Sequence, residues 1–170
     1  MREGKVVTLE ELAGLVAALR AAGKQVAHCH GCFDLVHPGH IRHLQAARRM
    51  ADALVVTVTP DRFVDKGPGR PVFPEQVRAE SVAALECVDY AAVNRWPTAA
   101  ETIRLLRPRF FVKGQEFERL GDATGKLQQE AAVLRETGGE LRFTHEPVHS
   151  STLLLREHFG AGGKSEGERG

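Results

Sequence analysis

Gly31-Cys32-Phe33-Asp34-Leu35-Val36-His37-Pro38-Gly39-His40 joins two segments of different period. Upstream, residues 25–33 read as a strand, although its centre, His28-Cys29-His30-Gly31-Cys32, is unusually polar. Downstream, Ile41, Leu44 and Ala47 recur at helical spacing over residues 38–50. The stretch is therefore the turn of a strand–helix unit, and the start of its helix offers amides and a partial positive charge to an anion. His37 and His40, three apart, project to one side of that helix start. Gly31 and Gly39 permit a close approach of backbone or ligand that a Cβ would obstruct. Imidazoles placed there can donate to phosphate oxygens and stabilise charge that builds up on an attacked phosphorus.

Working outward, the same alternation continues along the chain. Thr8 and Glu11 form a capping box for a helix carrying Leu12, Leu15, Val16 and Leu19, which Gly23 stops. Further strands are expected at 53–59, 90–94, 109–113 and 140–145, and further helices at 74–87, 98–107, 125–137 and 151–159. Val77, Val82 and Leu85 are expected to face inward in the 74–87 helix. Five strands alternating with helices predict an α/β fold: a single Rossmann-like, doubly wound domain, its five-stranded parallel sheet covered by helices on both faces. Ligands of such sheets sit beyond the carboxyl ends of the strands, where the strand order reverses. The domain is expected to span 1–159, with 160–170 a flexible Gly-rich tail.

Composition removes several function classes. The chain has 170 residues, 23 Lys+Arg against 22 Asp+Glu and a net charge of +1. That balance lacks the clustered excess of Lys and Arg that bulk phosphate affinity requires, so no nucleic-acid partner is expected. No apolar run is long enough to cross a bilayer, so no membrane partner is expected either. Three cysteines, Cys29, Cys32 and Cys87, do not suit a secreted disulfide framework, and the first residues do not form a signal peptide. A cytoplasmic, reducing setting is the expectation. A zinc site built on Cys29, Cys32, His28 and His30 is disfavoured, because strand alternation turns His28 and His30 away from Cys29. Gly163-Lys164-Ser165 lacks the glycine, strand and helix of a P-loop, and no GxGxxG follows the first strand.

The 31–40 stretch resembles the GxFDxxHxGH motif of the cytidylyltransferase-like nucleotidyltransferases. Lys66-Gly67-Pro68-Gly69-Arg70-Pro71 resembles the family's KGxxRP element, and Arg78 stands where the family has an arginine at the start of the next helix. Phe111-Val112-Lys113-Gly114-Gln115-Glu116-Phe117 resembles VKGxDY, with Glu116 in place of Asp and Phe117 in place of Tyr. Ser150-Ser151-Thr152 resembles the S-[ST]-T signature. Arg156, four residues beyond Thr152, and the 84–89 run Ala-Leu-Glu-Cys-Val-Asp resemble the adenylyltransferase domain of ADP-heptose synthase, whereas His30 departs from the Asn usual there. Each element also has a plainer reading: helix-start histidines, a solvated basic loop (more so for Arg70 than for Lys66), and simple N-capping by serine.

The resemblance implies transfer of the nucleotidyl group of ATP to a sugar phosphate, D-glycero-β-D-manno-heptose 1-phosphate or a relative, with release of pyrophosphate. Alternatives are a CTP-dependent enzyme acting on glycerol 3-phosphate, another polyol phosphate or a phosphonate, and a nucleotide-binding regulatory module without turnover. It further implies that His37, His40 and Lys66 are catalytic. Gly31, Cys32, Phe33, Asp34, Gly39, Arg78, Lys113, Gly114, Gln115, Glu116, Ser150, Ser151 and Thr152 are then the nucleotide-binding set. Mg²⁺ is the implied cofactor, held mainly by the triphosphate rather than by side chains. A homodimer and a functional link to a separate sugar kinase are implied as well. Two readings of Trp96 stand: a cover over the acceptor sugar, or a cap on the sheet.

Overall fold

The computed structural model describes residues 4–120 and 124–146, the side chains of residues 119 and 120 excepted. Five strands, β1 (Val26–Gly31), β2 (Ala53–Val58), β3 (Tyr90–Val93), β4 (Phe110–Gly114) and β5 (Glu140–Thr144), form one sheet. Its order is β3-β2-β1-β4-β5, and every pairing is parallel. The helices are α1 (Leu9–Ala21), α2 (Pro38–Arg49), α3 (Glu75–Ala83), α4 (Ala100–Leu106), α5 (Gln115–Leu120) and α6 (Lys126–Glu136). Residues 5–7 add a bridge to the β3 edge, with Val7 N–H donating to Ala91 O and Ala91 N–H to Lys5 O.

Local chemistry explains most boundaries. Thr8 and Glu11 complete the capping box of α1, each satisfying the other's amide. Arg107 turns left-handed (φ 49°) to end α4 before Pro108, which cannot continue a helix. All six residues of β2 are buried, because both faces of the sheet are covered. Each fully buried Val or Leu contributes roughly 1.5–3 kcal/mol.

Alternation along β1 divides the core. Ala27 and Cys29 face α2 and α3, where they pack with Leu44, Ala47, Ala79 and Val82. On the other face Val26 and Val55 meet α1, while Phe111 packs with Ile103 of α4 and Val133 and Leu134 of α6. His28 and His30 lie on this second face and share Thr57 Oγ1, at 2.7 and 2.9 Å. They are separated from Cys29 by the sheet, as alternation requires.

Two expectations need correction. In α3 the inward residues are Arg78, Ala79, Val82 and Ala83, whereas Val77 is 40% exposed. The helix is rotated so that an arginine, not a valine, enters the core, because backbone carbonyls wait there for its guanidinium. The helix expected at 74–87 ends at Ala83, and residues 115–120, for which no element was expected, form α5. Strand order reverses between β1 and β4, since β1 leads outward to β2 and β3 on one side while β4 leads to β5 on the other. The loops following β1 and β4 therefore diverge and leave a crevice at the carboxyl edge.

Candidate active site

The crevice has two lobes. One lies toward α2 and is lined by Gly31, Cys32, Phe33, His37, Gly39, His40, His43, Lys66, Lys113, Gly114, Glu116, Phe117, Thr144 and Glu146, with His30 at its floor. The other lies toward α6 and adds Thr59, Asp65, Pro97, Lys126 and Glu130. His30, Gly31, Cys32, Lys66, Lys113 and Phe117 border both. Ten residues singled out from sequence thus meet in one place: Gly31, Cys32, Phe33, His37, Gly39, His40, Lys66, Lys113, Gly114 and Glu116.

His37 is the N-cap of α2, and its Nδ1 accepts from the amides of Gly39 (3.1 Å) and His40 (3.4 Å). Accepting at Nδ1 places the proton of the neutral ring on Nε2. The helix start therefore does not present open amides as the sequence suggested. Pro38 has none, the imidazole takes the next two, and Ile41 N–H donates to His37 O.

The His37 and His40 rings stack with centroids 3.8 Å apart, and the Phe33 ring meets His40 edge-on at 5.2 Å. Phe33 holds this place from a left-handed backbone (φ 47°), a conformation that is costly for a bulky residue. A Cβ on Gly31 would approach that ring to 3.1 Å, so the glycine makes room for it. Burial, followed by the charges of His37, Lys66 and His43, pushes His40 down to about 4. His43 is likewise lowered to about 4 by burial and by Lys113, and its Nδ1 lies 2.7 Å from Thr144 Oγ1. His40 and His43 are therefore neutral at pH 7 and suited to donate hydrogen bonds.

Three predicted ligands stand behind the cleft instead of in it. Arg78 is fully buried. Its Nε donates to Phe73 O (3.0 Å), Nη1 to Cys32 O (2.5 Å), and Nη2 to Thr59 O (2.6 Å) and Asp61 Oδ1 (2.7 Å). It ties together the loops after β1 and β2, and its guanidinium is taken up by protein acceptors away from the cleft. Asp34 accepts from Arg70 Nε and from the amides of Val72 (2.7 Å) and Phe73 (3.3 Å). Burial pushes the Asp34 carboxyl up, but those hydrogen bonds outweigh it and hold the group below its ordinary value. Arg70 is consequently not a solvated loop residue, its side chain being 9% exposed. Gln115 donates to Glu146 O (2.7 Å), bracing α5 against the segment after β5.

Of the motif cations Lys66, Arg70, Arg78 and Lys113, Lys66 and Lys113 reach the cleft. Lys66 is exposed. Lys113 is nearly buried, 3.1 Å from Glu130 Oε2, with the Phe111 and Phe117 rings 4.9 and 5.1 Å from its Nζ. Burial raises the thiol of Cys32 at the cleft wall, which leaves it a poor nucleophile. Among the described residues no group of three or more His, Cys, Asp and Glu could hold a metal ion. No helix of the described residues is long and apolar enough to cross a membrane. Trp96 packs with the α1 cluster, its indole beside Arg95, so it sits on the sheet instead of over the cleft.

Sequence reasoning missed His43, Thr144, Glu130 and Glu146. His43 continues the 37/40 spacing by three more residues, and Thr144 lies at the carboxyl end of a strand, so both carried a local signal. Glu130 and Glu146 carried none. Ser150, Ser151, Thr152, Arg156, the expected last helix and the tail at 160–170 lie outside the described residues.

The family model described as cytidylyltransferase-like matches residues 28–156. The chain is 42% identical over 117 residues to the bifunctional protein HldE of Trichlorobacter lovleyi, covering 68% of this chain and 24% of that protein. It is 40% identical over 152 residues to the HldE of Methylococcus capsulatus (88% and 31%) and 43% identical over 148 residues to that of a Bradyrhizobium species (85% and 29%). The chain thus spans about a quarter to a third of the length of these relatives. Its fold is like that of the lipopolysaccharide core biosynthesis protein from Thermoplasma volcanium. The TM-score is 0.60 and the identity 22%, over 74% of this chain and all of that one.

Proposed function

The chain belongs to the cytidylyltransferase-like family of nucleotidyltransferases, and on that premise we propose that it joins a sugar phosphate to the nucleotidyl group of ATP. The observation that carries this reading is the stacked His37–His40 pair, flanked by Lys66 and Lys113 at the strand-order reversal. The acceptor is a heptose 1-phosphate of the D-glycero-β-D-manno type, in keeping with the HldE relatives.

An oxygen of the acceptor phosphate attacks the α-phosphorus in line. A P–O bond forms to it while the bond to the β-phosphate breaks, and pyrophosphate leaves. No protein nucleophile is required, so positioning and charge stabilisation carry the rate. His37 and His40 donate to the α-phosphate and the leaving oxygen, and Lys66 steadies the β- and γ-phosphates. The α2-side lobe takes the triphosphate and the α6-side lobe the phosphorylated sugar, with Lys113 between them. Ser150, Ser151 and Thr152 complete the triphosphate contacts in this reading. The described side chains do not form a cage for Mg²⁺. The ion would arrive with the triphosphate and offset its charge. A kinase acting on the sugar must supply the acceptor, and a homodimer is part of the same reading.

A matrix of nucleoside triphosphates against sugar phosphates, read as pyrophosphate release, tests the proposal. Release with ATP and heptose 1-phosphate supports it. Release with CTP and a polyol phosphate would move the specificity to the cytidylyltransferase branch. Nucleotide binding without release from any pair would make the chain a regulatory module.

A further inference from the structure

We infer that Glu130 is the positioning residue for Lys113, holding its ammonium where it borders both lobes, beside the α-phosphate of the nucleotidyl group being transferred; this rests on the reading of the cleft given above. Glu130 is only 2% exposed. One carboxylate oxygen accepts the Ala99 amide at 2.9 Å, and the other lies 3.1 Å from Lys113 Nζ. The first contact prevents the carboxylate from turning, and it is itself fixed by the packing of Ala99, Ala100 and Ile103 against Val133 and Leu134. The second is the carboxylate contact that pairs Lys113 within the described residues.

On their own, the aromatic faces of Phe111 and Phe117 would attract the ammonium without fixing its place, since a ring face is broad. A lysine has four rotatable bonds and a compact charge, so its reach is poorly defined unless something at the far end anchors it. Glu130 supplies that anchor from α6, an element that contributes none of the family-like motifs. The ordering is completed during folding and need not be repeated in each turnover. A buried carboxylate so close to a cation that borders both lobes is also costly to keep for stability alone, because an apolar pair would serve there equally well.

The test combines kinetics with a turnover-independent signal. Glu130→Gln keeps an acceptor for the Ala99 amide but not the anion, and Glu130→Asp keeps the anion but withdraws it by a methylene. Each is made in the wild-type and Lys113→Met backgrounds. Expected is a fall in kcat of about tenfold or more for Glu130→Gln and less for Glu130→Asp, with KM for the triphosphate moving less than about threefold. In the Lys113→Met background the further loss should stay within about twofold. The ¹⁵N signal of the Lys113 ammonium, identified by its absence from Lys113→Met, should be sharp in the wild type and broadened away in Glu130→Gln. Equal losses in both backgrounds would overturn the inference, as would kcat within twofold of wild type for both substitutions. Glu130→Asp retains a buried ion pair, so it decides the matter even where Glu130→Gln does not fold. A wild-type chain inactive with every substrate pair, yet losing the ammonium signal on Glu130→Gln, would remove the transfer reaction and leave the anchoring in place.

Discussion

His37 holds the start of α2 through Nδ1 while its ring stacks on His40, 3.8 Å between centroids. One imidazole thus caps the helix through Nδ1 and lines the cleft with its ring. The two roles can be separated by substitution.

His37→Asn replaces an N-cap with a better one, so the thermal midpoint should hold or rise while turnover falls by about two orders of magnitude or more. His37→Ala should lose the same activity and about 1 kcal/mol of stability besides. Calorimetry beside a pyrophosphate assay distinguishes them. Equal stability of the two variants would mean that the ring does not cap.

His40→Ala removes the donor that burial keeps neutral at pH 7. Turnover should drop about 10²–10³-fold, the range for losing one preorganised donor, with circular dichroism unchanged. Near-normal turnover would end the assignment.

Lys66→Ala concerns an exposed side chain, so stability should stay within about 0.5 kcal/mol. Triphosphate affinity measured by titration calorimetry should weaken by about tenfold, as expected for a lost charge-assisted contact. An unchanged affinity would make Lys66 an ordinary solvated lysine.

Arg78→Lys should destabilise the fold by about 1–3 kcal/mol for each buried acceptor left unsatisfied, because one ammonium cannot reach Cys32, Thr59, Phe73 and Asp61 together. Urea unfolding reads this directly. A stable variant impaired only in nucleotide binding would restore Arg78 to the triphosphate.

Acid should unfold the chain from an early point. Burial lowers His28 to about 3 and His40 and His43 to about 4, and places His30 well below its ordinary value. An unfolded histidine binds its proton near pH 6.5, so between there and about pH 4 the unfolded state takes up more protons. Stability is therefore full above pH 6.5 and falls through that window, by up to about 1.4 kcal/mol per pH unit for each histidine. Midpoints measured from pH 7.5 to 4.5 should decline, and His43→Gln should flatten the decline. A flat profile would mean that these rings are solvated.

Much of the fold was legible because its determinants are local. The capping box at Thr8 and Glu11, the apolar run of β2 and the 38–50 periodicity each lie within one or two turns of chain. The placement of His37 and His40 followed from the same short spacing. Arg78 was misread because a cation in a loop-rich, phosphate-like context suggests a ligand, whereas its real acceptors are carbonyls of loops 19 and 46 residues away. Val77 was misplaced by the same error, since apolar character alone suggested which face turned inward.

By itself, then, the sequence determined a parallel α/β sheet and a histidine pair at the first strand–helix turn, because periodicity and capping act over a few residues. Tertiary structure alone decided which cations face the cleft. The order β3-β2-β1-β4-β5 sets Lys113 beside β1 and brings α6 over it. Glu130 consequently meets an ammonium 17 residues back along the chain, while Asp34 and Asp61 draw Arg70 and Arg78 behind the wall. A charge goes to whichever partner the packed backbone puts within reach as water is removed, and strand order, which no short stretch encodes, fixes that reach.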